Sequence, residues 1–140
     1  MKNIKVKFNA PVTLVFVMIC FIATLLGVVS NGRITQIVFM TYHSALASPM
    51  TYVRFVTHIF GHSGWSHFIG NASYLLLLGP MLEEKYGSKE LIEVIGITAI
   101  ATGLVNYIFF GTWGYVVQVE LCLLLLYSHH LQDLKKERFL

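Results

Sequence analysis

Cysteine is almost missing from this chain. The two present, Cys20 and Cys122, both lie inside apolar runs, which excludes a disulfide framework and any Cys-x-x-Cys site. Charge is scarce too: Lys, Arg, Asp and Glu make up 12% of residues, where a soluble domain carries about 25%. The net charge of +3 is small and dispersed, so it forms no basic footprint for nucleic acid. No internal repeat or low-complexity segment interrupts the 140 residues, a length that suits one domain. What the chain does hold is apolar: 56% of residues against about 45–50% in soluble proteins, with a mean hydropathy of +0.68. The composition is that of an integral membrane protein.

The apolar residues fall into runs of spanning length. Lys2, Lys5 and Lys7 precede a run from Pro11 to about Ser30, close to the roughly 20 residues that cross a hydrocarbon core. The following "LLGVVSNG" is a poor cleavage site, so the run reads as a retained first helix rather than a signal peptide. Residues 31–65 mix Gly, Ser, Pro, Arg33 and Arg54 with aromatics. They read as a long, partly embedded loop with short helical pieces, allowed at that depth only where protein covers its backbone. A second span is expected from about Ser66 to Met81, ending on "EEKYGSKE" as a charged turn, and a third from Leu91 to Phe110. Ala99 and Gly103 give the third a small-xxx-small spacing suited to a close helix contact. After "GTWG", Tyr115 to Ser128 forms a short fourth run carrying Gln118 and Glu120, followed by a basic tail. An acid at a helix centre costs on the order of 2.5–3.5 kcal/mol, so this fourth run is flawed as a span.

Cation placement orients the whole. With the N-terminus in the cytoplasm, Lys2, Lys5, Lys7, Lys85, Lys89, Lys135, Lys136 and Arg138 lie inside, and Arg33 and Arg54 outside. This is the bias of the positive-inside rule. The long loop and the start of the second span then face outward.

Polar chemistry concentrates in "HIFGHSGWSHFIGN", residues 58–71. His67 and Asn71 are four apart and share one face of a helix. Two donors on one rigid helix near its outer end suit a developing oxyanion, where each is worth roughly 3–4 kcal/mol. His58 and His62 are also four apart, but Ser63 and Gly64 break the helix between the two pairs, and both His fit hydrogen bonds to loop backbone. A metal site would need three or four converging ligands, and His58, His62 and His67 have no carboxylate or Cys beside them. Gly61-His62-Ser63-Gly64 has the letters of a serine-nucleophile motif. A nucleophile needs a base within hydrogen-bond reach and an oxyanion site, and Ser63 reads instead as a loop or helix-start residue.

The stretch "RFVTHIFGHSGWSHFIGNASYLLLLGPMLEEKYGS" resembles the first-loop and second-helix region of rhomboid intramembrane serine proteases, through His62, His67 and Asn71 in a His-x4-His-x3-Asn pattern, Arg54 upstream and the Glu83…Gly87 turn downstream. The resemblance extends over roughly residues 5–110. It implies an all-α, polytopic transmembrane bundle with about four spans of a six-helix core. It also implies cleavage of transmembrane protein substrates within the lipid bilayer by acyl-enzyme chemistry, with no metal or organic cofactor. His67 and Asn71 would then stabilise the oxyanion, His62 would be a structural histidine, and Arg54 and Glu83 would brace the loop and the cytoplasmic turn.

The chain departs from that pattern after residue 110. Rhomboids open the fourth helix with Gly-x-Ser-Gly and carry the general-base histidine on the sixth; here the fourth reads "GTWGYVVQVELCLLLLYSHH". Residues 1–110 therefore read as a rhomboid-like core and 111–140 as an aberrant helix and tail, inactive as written. Codons for Tyr115 to Leu121 can be chosen so that a frame two bases later reads Cys-Gly-Ala-Ser-Gly-Ile, which suggests a frameshift near residues 110–114. A non-catalytic rhomboid-like binder of transmembrane helices is the alternative, and a small transporter or metal-binding protein using the three His a third.

Overall fold

A computed structural model describes residues 9–109, and within them every regular element is helical. The four helices are α1 (Pro11–Val29), α2 (Pro49–Thr57), α3 (Trp65–Tyr86) and α4 (Ser88–Phe109). A wide π-helical turn, Thr35–Phe39, follows α1, and a 3-10 turn, His58–Phe60, follows α2. The expected fourth run, the tail and the suggested frameshift lie outside the described residues.

α1 starts at a proline in its first turn, where the missing N–H costs nothing. It ends where Asn31 and Gly32 turn left-handed, at φ 51° and 81°, conformations that Asn and Gly tolerate. Only 33% of its most apolar window is buried, and 17% of that of α4. Long apolar helices left this bare are not soluble-core helices; their uncovered side chains, such as Val15, Met18, Ile22 and Ile97, match a lipid surround. α3 has the length to span, at 22 residues, but its sequence mixes Ser66, His67, Asn71 and the 83–85 charges into the apolar run.

α3 runs further than the sequence suggests. Glu83 to Tyr86 stay helical, and Gly87 alone, at φ 96°, separates α3 from α4. The charged stretch is thus a helical corner rather than an open turn. It forms because Glu83 has a buried task, described below, and because Gly takes the left-handed position at no steric cost.

α1 lies along α3, and α2 with its 3-10 turn lies against α4. Two glycines set these distances. A Cβ on Gly79 would sit 2.5 Å from the Thr13 methyl, and one on Gly103 would sit 2.9 Å from the Phe55 carbonyl. At Gly103 the expected close contact is therefore made with the end of α2, and Ala99 and Gly103 are both buried. The core joins Phe16 and Cys20 of α1, Ile59 of the 3-10 turn, Phe68, Leu75 and Leu82 of α3, and Ala99 of α4.

α2 reverses the usual amphipathic order. It buries Thr51 and Arg54 and turns Tyr52, Val53 and Val56 outward. A helix polar within and apolar without suits a loop that meets acyl chains, since its hydrogen-bonding groups must then find protein partners.

Candidate functional site

The site begins at the N-terminal end of α3. Gly64 is the N-cap and offers no side chain to the first turn; the first helical bond runs from the Phe68 N–H to the Gly64 carbonyl. Ser63 lies one residue before the cap. It is a loop residue, one of the two places expected for it, and its hydroxyl sits 3.2 Å from His67 Nδ1. Asn71 follows His67 by one turn and is only 4% exposed.

His67 Nε2 and both amide atoms of Asn71 are buried with no hydrogen-bond partner among the described residues. Leaving a buried polar group unmet costs about 1–3 kcal/mol, so three such atoms on one face are costly. Asn71 also lines a small cavity between α1 and α3 with Phe16, Cys20, His62 and Phe68. Chemically, the face can present donors from two residues to an incoming acceptor.

His62 closes one side. Its Nδ1–H donates to the Phe60 carbonyl at 3.1 Å, and its ring meets that of His67 edge-on at 5.3 Å between centroids. Burial pushes its pKa down to about 4 against the lift of the Phe60 bond, and the neighbouring His67 adds a smaller downward push. The unfolded imidazole titrates near 6.5, so between these values the unfolded chain binds the extra proton. Stability is then full above about pH 6.5 and falls as pH drops toward 4. His58, which burial also pushes down, adds to the same slope. Thermal unfolding in detergent should show a midpoint that falls over this window, by an amount equivalent to at most about 3 kcal/mol from His62. A His62→Gln chain should give a shallower slope; an identical slope would sink the assignment.

Two further groups brace the loop. Arg54 donates from Nε to the Ile37 carbonyl at 2.7 Å and from Nη1 toward Ser44 Oγ, and its guanidinium covers the Tyr42 ring at 4.2 Å. His58, fully buried, donates from Nδ1 to the Arg54 carbonyl and sets Nε2 3.1 Å from Thr102 Oγ1 of α4. Sequence reasoning missed the α4 side of this lock: Thr102, Asn106, whose amide reaches Thr41, and Tyr107, whose hydroxyl donates to the Ser44 carbonyl. The available signal was Thr102 and Asn106, polar residues four apart in an apolar helix.

The five sequence-selected residues do not all meet. His62, His67 and Asn71 gather at the N-terminal end of α3, Arg54 lies on α2, and Glu83 lies at the far end of α3. The twelve residues from Asn71 to Glu83 span about 18 Å of helix. Among the described residues no three His, Cys, Asp or Glu come together as a group able to hold a metal. His58 faces α4 and leaves the His62–His67 pair.

The family profile described as Rhomboid domain matches residues 49–117. The chain belongs to the rhomboid family. That match takes in α2, the His67–Asn71 face and α4. Among curated relatives, the rhomboid proteases GlpG of Salmonella paratyphi A and Salmonella typhi are each 28% identical over 103 residues, covering 74% of this chain and 37% of the relative. The rhomboid protease GlpG of Salmonella newport is 37% identical over 60 residues, which cover 43% of this chain and 22% of the relative. The chain thus spans 37% of the length of the first two relatives. Rhomboid membership and the apolar helices α1 and α4 make this an integral membrane protein.

Proposed function

We propose that this chain supplies the oxyanion-binding half of a rhomboid-type intramembrane serine endopeptidase whose substrates are transmembrane proteins. The observation that carries this reading is the unmet hydrogen-bonding capacity of His67 Nε2 and the Asn71 amide. A folded chain tolerates such atoms where a ligand or transition state meets them. His62, Arg54 and Glu83 act as scaffold, and no metal or organic cofactor takes part. The chain is multi-pass, with its N-terminus and the α3–α4 corner in the cytoplasm and the His67–Asn71 face near the outer surface. Single cysteines placed at Lys89 and Leu46 test this: a membrane-impermeant thiol reagent applied to intact cells should label the second and spare the first.

Residues 111–114 read Gly-Thr-Trp-Gly, without the serine of the rhomboid fourth helix, so the chain as written does not cleave peptide bonds. The deciding experiment joins residues 1–109 to the C-terminal part of a GlpG relative, which supplies nucleophile and base. Cleavage of a single-span substrate by this chimera, and none by the chain alone, is the expected result. A chimera that folds, binds the substrate and does not cut it would favour the alternative, a rhomboid-like binder of transmembrane helices.

A further inference from the structure

Gly61-His62-Ser63-Gly64 is the one motif that the function above leaves unused, and its serine is in contact with the site. We propose that Ser63 is a positioning residue, whose hydroxyl donates to His67 Nδ1 and so keeps the His67 proton on Nε2, where an oxyanion is bound. This rests on the oxyanion reading of His67.

The geometry has three parts. Ser63 Oγ lies 3.2 Å from His67 Nδ1, and Nε2 of the same ring is buried and has no partner among the described residues. In a neutral imidazole one nitrogen carries the proton, and the bond made by the other decides which. If Nδ1–H donated to Ser63, Nε2 would be a buried lone pair facing the oxyanion position and would repel it. If Ser63 donates, Nε2–H faces that position as a donor beside the Asn71 amide.

The helix favours the second arrangement. α3 begins at a glycine that caps nothing, so the positive end of a 22-residue helix is unscreened by any capping side chain. A positive field there stabilises a bare lone pair on the nearer ring nitrogen. Ser63 is free for this task because it precedes the cap residue rather than occupying it. It makes no other side-chain bond among those described, and it is exposed. Replacing it therefore removes the hydroxyl without opening the core.

The test reads the tautomer directly. Nitrogen NMR of the purified full chain, 15N-labelled at histidine, is recorded in detergent at about pH 8, where an ordinary imidazole is neutral. His67 is identified by the resonances lost in His67→Gln. In the wild-type chain His67 should show Nδ1 bare and Nε2 protonated. Ser63→Ala should move the resonances toward a mixture, and Ser63→Thr, which keeps the hydroxyl, should restore them.

In the protease chimera, Ser63→Ala should lower kcat in proportion to the lost Nε2–H fraction, about twofold if the tautomers become equal, with KM unchanged. A wild-type His67 protonated on Nδ1, or a tautomer indifferent to Ser63→Ala, overturns the proposal. A tautomer that responds while kcat does not would uphold the bond and overturn the oxyanion reading beneath it.

Discussion

Replacing Glu83 should cost more stability than any other single change in the described residues. Its carboxylate is 4% exposed. It accepts from the Val12 N–H and Ser88 hydroxyl on one oxygen and from the Thr13 N–H and hydroxyl on the other, at 2.7–2.9 Å. The first turn of a helix leaves its N–H groups without intrahelical partners. In α1 the inventory closes: Pro11 has no N–H, Val12 and Thr13 give theirs to Glu83, and Leu14 bonds the Ala10 carbonyl. Ala10, at the cap, offers no side-chain bond, so an acid from α3 performs the capping. Its negative charge also suits the positive end of α1.

Glu83→Ala strands four donors in a buried place. Each unmet group costs about 1–3 kcal/mol without simple addition, so a loss of about 3 kcal/mol is expected. That is a large part of the roughly 5–15 kcal/mol that holds a typical protein folded. Glu83→Gln keeps the shape but turns one end into a donor facing donors, and should lose about 2 kcal/mol. Thr13→Ala removes a single bond and should lose about 1 kcal/mol. Denaturant titration in micelles would rank the three. A Glu83→Gln chain within about 0.5 kcal/mol of wild type, the scatter of ordinary surface changes, would refute the capping role.

The second large effect is on catalysis, and its sign differs from its effect on stability. In the chimera, His67→Ala and Asn71→Ala should each lower kcat by about 10²–10³, with KM little changed, because an oxyanion donor acts mainly in the transition state. The double variant should fall short of the product of the two, since they serve one oxyanion. In the chain itself Asn71→Ala should not destabilise. Both of its amide atoms lack a partner among the described residues, so removing them relieves a desolvation cost, offset by the small cavity left behind. The midpoint of unfolding should stay level or rise. Loss of stability together with unchanged kcat would mean that Asn71 is a packing residue, and the proposed function would lose its main support.

These two sites also separate what could be read locally from what could not. The membrane class, the bounds of α1 near Pro11 and Val29, and the shared face of His67 and Asn71 follow from composition and from the 3.6-residue period. Such information is carried by neighbours within a turn or two. The end of α3 was misjudged because charged residues in a row resemble a loop, whereas Glu83 is held in the helix by a partner 71 positions away. The outward apolar face of α2 has the same origin: Thr51 and Arg54 point inward because backbone carbonyls of the loop, Ala45 and Ile37, wait there.

By itself, then, the sequence determined that this is a helical membrane protein of rhomboid type and which residues share one face near the start of α3. Only the tertiary structure decided which polar groups are satisfied and which are left unmet. Ser63 and His67 are four residues apart, and a helix begun one residue earlier would have turned the same serine to capping. Asn71 carries the same amide in any helix; it is conspicuous here because the cavity beside it is lined mostly by apolar side chains such as Phe16 and Phe68, and no described residue bonds it. A hydrogen bond joins two partners, and the chain writes down only one of them at each position.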